Sequence, residues 1–280
     1  MKNYKGKAIY QPNGKAAEYA KWACNFYVGC SNDCTYCYCK KGILAPVMGQ
    51  DKPQLKKCFK DEAHALEVFE KELKFNLPEL QKHGLFFSFT TDPMIEETIW
   101  LTLRAIDIAE NNTVPINILT KSATWIDTYI KQVGNFENEE TCTHEWRKNI
   151  AFGFTLTGHD ELEPNASTNT ERIEAMQKLH HAGFKTFASI EPIIELYSSF
   201  KMIQETNGFC DLYKIGLESG KKYNQYEIQL FIESVIKQVE FFGSKIYFKD
   251  SLLKQAGIER SELPDNCVTR DYSLFNTPNP

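Results

Sequence analysis

The chain has 280 residues, 42% of them hydrophobic and 25% charged, and a formal net charge of −5. It is long enough to bury a core without covalent staples, and this balance excludes a disordered or collagen-like polymer. Its apolar runs are strand-length, well short of the roughly 20 residues that a bilayer span requires, so no membrane segment is expected.

Residues 1–7 are basic but run into no apolar h-region or small-residue cleavage site, so the chain is expected to stay in the cytoplasm. Short β-type runs then alternate with longer amphipathic segments, the pattern of βαβ units and a parallel sheet. Strands are predicted at 25–28, 85–90, 115–120, 150–156, 185–190 and 211–216, with a seventh at 245–248. Helices are predicted over 61–75 and 96–110. A third carries Ile173, Met176 and Leu179 behind a Thr168-x-x-Glu171 capping box and closes at Gly183. A fourth carries the stripe Ile228, Phe231, Ile232, Val235, Val239 and Phe242, with Gly243 placed to end it. Polar stretches at 134–149 and 160–170 read as surface excursions, and 276–280 as a tail.

Six or seven β/α units are too few for a closed eight-fold barrel and suit a partial, open one, an α/β fold in a single domain over 1–280 with its core at about 20–250. In such a fold the chemistry belongs at the carboxyl ends of the strands. Six predicted strands run out there into polar residues: Thr90-Thr91-Asp92, Thr120-Lys121-Ser122, Thr155-Leu156-Thr157, Ser189-Ile190-Glu191, Gly216-Leu217-Glu218 and Lys249-Asp250. Any one of them is an ordinary solvated strand end, and Asp92 could cap the helix that follows it. Six in succession favour a shared pocket.

Nine cysteines, at 24, 30, 34, 37, 39, 58, 142, 210 and 267, form an odd set that argues against a disulfide framework in a chain without an export signal. Five of them fall between positions 24 and 39. Within that stretch Cys30, Cys34 and Cys37 make a C-x3-C-x2-C array in the loop after the first predicted strand. Gly29 permits a sharp exit from that strand, while Asn32 and Asp33 favour turns. Three thiolates on one loop can hold three irons of a cubane cluster and leave the fourth iron open. A structural zinc site is the rival; zinc wants four ligands, and Cys39 is the available fourth.

C-x3-C-x-aromatic-C in a β/α chain, with Tyr36 at the aromatic position, resembles the radical S-adenosylmethionine (radical SAM) superfamily. The segments 88–92, 119–121 and 152–155 are similar to its spore-photoproduct-lyase branch, often described as DNA-repair-photolyase-like, over roughly residues 20–250. The resemblance implies a 4Fe-4S cluster held by Cys30, Cys34 and Cys37, whose open iron binds the methionyl amino and carboxylate groups of S-adenosyl-L-methionine. One electron then splits the sulfonium, giving methionine and a 5′-deoxyadenosyl radical that abstracts hydrogen from a substrate. By the same resemblance Thr91 and Thr155 supply hydroxyls to the methionyl group, Lys121 pairs with its carboxylate, and Tyr36 lies on the adenine side. Asp92 and Glu191 are further candidates on the cofactor side. One position departs from the branch: the lyase has a hydrogen-donating cysteine where this chain has Phe89, so the lyase reaction is not expected.

The resemblance also brings nucleic acid as a candidate substrate and a reducing protein such as flavodoxin or ferredoxin as partner. Against extended duplex contact stand the acidic net charge and the scarcity of arginine, five of 32 basic residues (Arg104, Arg147, Arg172, Arg260 and Arg270). Aromatic residues are spread as core residues are, without a nucleobase signature. Glu191 and Lys249 either meet a ligand or form an internal ion pair. The six cysteines outside the array are expected as buried free thiols. Two alternatives stand beside the radical enzyme on nucleic acid: a metal-stabilised binding module, and a radical SAM enzyme acting on a peptide or small metabolite.

Overall fold

The structure, a computed structural model, describes residues 4–134 and 149–275. The expected excursion at 134–149, apart from its two end residues, and the tail at 276–280 lie outside the described residues, as do Cys142 and Arg147.

The chain opens with β1 (Ile9–Tyr10), β2 (Ala23–Cys24) and β3 (Tyr27–Val28), then the four-residue helix α1 (Ala45–Met48) and β4 (Gln54–Leu55). Helices α2 (Glu62–Phe75) and α3 (Leu77–His83) lead into β5 (Leu85–Phe87). From there helix and strand alternate: α4 (Ile99–Glu110), β6 (Ile116–Thr120), α5 (Ile126–Gly134), β7 (Ile150–Thr155) and α6 (Asn169–His181). The series continues through β8 (Lys185–Ile193), α7 (Leu196–Thr206), β9 (Leu212–Leu217), α8 (Gln225–Glu240), β10 (Lys245–Phe248) and α9 (Asp250–Ala256).

Eight strands form one mixed sheet in the order β1-β2-β5-β6-β7-β8-β9-β10, and every pair but the β1–β2 edge is parallel. The sheet order follows the chain order, so α4 to α8 each cross between neighbouring strands and the carboxyl ends of β5 to β10 share one rim. The expected first strand at 25–28 keeps only Tyr27–Val28, and a separate strand lies just before it. Ala23–Cys24 joins the main sheet and Tyr27–Val28 pairs antiparallel with β4. Asn25 separates them because its side chain leaves the ladder, accepting from Phe89 N–H at 2.8 Å and donating to the Tyr10 hydroxyl at 2.7 Å.

Strand alternation sorts the side chains onto two faces. Phe87, Ile118, Phe152, Ile190, Ile215 and Phe248 join the helices in the larger core. Phe86, Ala151, Phe187, Leu212 and Tyr247 face the other way and meet Tyr19 in a smaller cluster. Gly153 on β7 makes that second face possible, since a Cβ there would stand 2.2 Å from the Phe187 ring. On α8 the buried stripe is Ile228, Phe231, Ile232, Val235 and Val239, each worth about 1.5–3 kcal/mol of burial. Phe242 leaves that stripe: the helix ends at Glu240, and Phe242 sits beyond it, 43% exposed.

Two helix starts are set by local hydrogen bonds. Thr168 and Glu171 form the expected capping box on α6. Helix α4 begins at Ile99 rather than 96, because the Thr98 hydroxyl turns back to the Asp92 carbonyl at 2.8 Å and holds the preceding residues in a turn.

Candidate active site

The cysteine loop leaves β3 at Gly29, whose φ of +80° belongs to glycine; a Cβ there would lie 2.4 Å from the Lys52 carbonyl oxygen. Cys30 N–H then donates to Gln50 O at 2.9 Å, and Asp33 takes the turn expected of it with φ of 52°. Asn32 is buried, its amide donating to Asp92 at 2.8 Å, and so serves as a strut as well as a turn residue.

Burial pushes the Cys30 thiol up to about 12, with the Asp92 carboxylate adding to it, and burial likewise raises Cys34. Cys37 moves the other way, to about 6, chiefly because the Cys39 thiol hydrogen-bonds to it. One buried thiol, one half-buried thiol and one easily formed thiolate are soft donors short of the positive charge that would replace their protons. The residues therefore fit a thiolate-ligated group. Among the described residues no three His, Cys, Asp or Glu side chains converge on one ion position; the three protein ligands of a cubane each hold a different iron and need no such convergence.

Opposite this loop the strand rim supplies the remaining walls. Thr91 follows β5 and donates its hydroxyl proton to Gly29 O at 2.7 Å. Asp92 accepts from Asn32, from Met94 N–H at 3.0 Å, from the Thr120 hydroxyl at 2.6 Å and from Lys121 N–H at 2.7 Å. Both its oxygens are committed to holding the cysteine loop, the β5 exit and the end of β6 together.

Lys121 leaves β6 with its ammonium 5.6 Å from the centre of the Tyr36 ring and 4.0 Å from Glu163. Burial alone would depress this amine, but Tyr36, Cys34 and Glu163 outweigh it and hold Lys121 well above the ordinary lysine range. Thr155 ends β7, buried, with its carbonyl taken by Arg172 at 2.6 Å.

Further along the rim, Glu191 on β8 pairs with Lys249 after β10 at 2.8 Å, while its second carboxylate oxygen is buried without a partner. The pair spans β9 over Gly216, where a Cβ would meet Lys249 at 2.6 Å and Glu191 at 3.0 Å. Tyr19 lies beneath, hydrogen-bonded to Ser189, with the Lys214 and Lys249 ammonium groups 4.6 and 5.2 Å from its ring centre.

All nine candidates from the sequence, Cys30, Cys34, Cys37, Tyr36, Thr91, Asp92, Lys121, Thr155 and Glu191, line one cleft of about 440 Å³. Phe89 stands in its wall and belongs to the smaller apolar cluster. Of the other cysteines, Cys24, Cys39 and Cys210 are buried as expected, whereas Cys58 is exposed just outside β4 and Cys267 is half-buried.

Two residues of the site escaped the sequence. The stretch at 160–170 is no mere surface excursion: Glu163 within it is wholly buried and ion-paired with Arg172, itself wholly buried. The signal was available in α6, where Arg172 rather than Ile173 shares the stripe of Ala175, Met176 and Leu179. A charged residue in register with an apolar stripe marks a buried partner.

No family model matches the chain. An uncharacterized protein of Methanocaldococcus jannaschii is 26% identical over 246 residues, covering 82% of each chain. Among solved structures the chain is similar to Streptococcus suis SuiB. Against SuiB bound to S-adenosylmethionine the TM-score is 0.52 at 10% identity, covering 82% of this chain and 50% of SuiB. Against SuiB bound to the precursor peptide SuiA it is 0.57 at 10% identity, covering 87% and 52%. At such identity the likeness is one of fold, a mixed α/β architecture with a mostly parallel sheet, and the chain spans about half the length of SuiB.

Proposed function

We propose that the chain is a radical SAM enzyme whose sheet curves into a partial barrel around the cleft. The observation that carries this is the meeting of Cys30, Cys34 and Cys37 with Lys121 in a single cleft on the rim where six strands end. A fold shared with a protein solved with S-adenosylmethionine supports it. When bound, a 4Fe-4S cluster would supply the electron that splits the sulfonium of S-adenosylmethionine.

The chain's own residues do the rest. Cys30, Cys34 and Cys37 would hold the cluster and leave one iron to the cofactor. The Lys121 ammonium offers a charge-assisted contact to the methionyl carboxylate. Thr91 offers its hydroxyl oxygen as an acceptor to the amino group while its O–H donates to Gly29 O, and Thr155 presents a second hydroxyl. Tyr36 floors the cofactor side. The unpartnered oxygen of Glu191 is an acceptor for a ribose hydroxyl, and Asp92 holds the walls in place rather than touching the cofactor.

Between substrate classes, a peptide has the support of a fold neighbour solved with its precursor peptide. Nucleic acid rests on the sequence resemblance alone, against a net charge of −5. A reducing protein such as flavodoxin or ferredoxin is the proposed electron donor. No helix among the described residues is long and apolar enough to cross a membrane.

Anaerobic reconstitution with iron and sulfide should turn the protein brown and, with dithionite and S-adenosylmethionine, release 5′-deoxyadenosine. Cys34→Ala should stay colourless, and Lys121→Ala should keep the colour but bind the cofactor at least about tenfold more weakly. A colourless protein that binds one zinc and leaves the cofactor intact would make the cysteine loop a structural module instead.

A further inference from the structure

The β7–α6 connection contributes none of the expected site residues, yet it grips three walls of the cleft. Leu162 O accepts from Thr35 N–H at 2.9 Å, and the Asn165 amide donates to Ser31 O at 3.0 Å, so the connection straps the cysteine loop from outside. The Tyr36 hydroxyl donates to one oxygen of Glu163. The other oxygen takes Arg172, and both side chains of that pair are 0% exposed. Arg172 also donates to the carbonyl of Thr155 at 2.6 Å, and Lys121 stands 4.0 Å from the Glu163 oxygen that holds Tyr36. One ion pair thus joins the cysteine loop, the end of β6 and the end of β7.

Two cations, Arg172 and Lys121, share one buried carboxylate; Asp160, 3.7 Å from Arg172, is half exposed and screened by solvent. Arg172 meets Glu163 at 2.5 Å, whereas Lys121 stops at 4.0 Å, beyond a direct hydrogen bond. Glu163 therefore attracts Lys121 without consuming its donors, and leaves that ammonium at the cleft.

We propose that Glu163, anchored by Arg172, is the positioning residue that aims the Lys121 ammonium at the carboxylate of a bound sulfonium nucleotide and holds Tyr36 with the cysteine loop against it. This rests on the reading of the cleft given above and adds to it a residue that touches neither cluster nor cofactor.

The test is a double-mutant cycle read by binding, not turnover. Oxygen-free reconstituted protein is titrated with S-adenosylmethionine in four forms: wild type, Glu163→Asp, Lys121→Met and the double variant, with iron content measured in each. Glu163→Asp keeps the charge that buried Arg172 requires, where Glu163→Ala would strand a guanidinium. Its shorter side chain draws the carboxylate back from Lys121 and Tyr36. Should it fail to fold, Tyr36→Phe, which removes the hydrogen bond from Tyr36 to Glu163 while keeping the Glu163–Arg172 ion pair, takes its place in the cycle and tests the Tyr36 arm of the proposal.

Glu163→Asp should weaken binding about tenfold in the Lys121 background, the scale of one charge-assisted hydrogen bond, and less than about twofold on top of Lys121→Met. Equal losses in both backgrounds overturn the proposal and make Glu163 a general scaffold residue. Wild-type protein that carries its cluster and binds no S-adenosylmethionine refutes the reading of the cleft, and the proposal falls with it.

Discussion

Asp92 offers the sharpest measurement of how the site is built. It is 8% exposed and accepts four hydrogen bonds, two at each carboxylate oxygen. In Asp92→Asn one oxygen becomes an amide nitrogen that faces donors. The less costly orientation puts the nitrogen where Met94 N–H and the Thr120 hydroxyl now point, because that hydroxyl can turn and accept. The Met94 bond is then lost, its N–H is left facing another donor, and the remaining bonds lose their charge assistance. With hydrogen bonds to charged groups worth about 1.5–3 kcal/mol each, the expected cost is about 2–4 kcal/mol. Asp92→Ala, which strands all four donors, should cost more. Urea unfolding of cluster-free protein followed by tryptophan fluorescence would report Asp92→Asn as a midpoint lowered by about 1 M, taking a slope near 3 kcal/mol/M for a chain of this size. The same variant should load less iron, because Asn32 loses its anchor in the cysteine loop. A midpoint unchanged for both variants would mean that the network does not hold the rim together.

Gly29→Ala forces a Cβ into the left-handed region and to 2.4 Å from Lys52 O, so it should abolish iron loading while leaving far-ultraviolet circular dichroism near wild type, since the insult is confined to one loop. In cluster-free protein Cys37, lowered to about 6, should be mostly thiolate at pH 7.5 and alkylate with iodoacetamide well before Cys30, which burial holds near 12; peptide mapping by mass spectrometry reads both. Cys39→Ala removes the hydrogen bond that depresses Cys37 and should slow that reaction. Burial, with Lys249 beside it, lowers Lys214 to about 7, against a value near 10.4 in an unfolded chain. Between those values the unfolded state binds the extra proton, so stability rises with pH across that window and Lys214 is a liability below it. Lys214→Met should raise the thermal midpoint at pH 7 and flatten its rise towards pH 9.5; an unchanged slope would place the amine in contact with water.

Much of the fold was legible because its signals are local. Strand β10 falls where its apolar run lies, α6 starts at its capping box, and α8 follows its 3.6-residue stripe as far as Val239. The misreadings occur where a distant partner overrides a local preference. Asn25 stands outside the first strand with its amide held at both ends, by Phe89 N–H and the Tyr10 hydroxyl, and 160–170 reads as solvated because its polar residues find their partners on other elements.

Sequence by itself determined the alternation of strands and helices, the polar strand endings and the spacing of Cys30, Cys34 and Cys37, since each is a relation among residues a few positions apart. Tertiary structure decided which of those endings face one cleft, and that Glu163 and Arg172 stand behind it. The hydroxyl of Tyr36 meets a carboxylate 127 positions away, and Glu191 finds Lys249 58 positions on. Contacts of that reach depend on how the parallel strands stack side by side, and no window of neighbouring residues contains them.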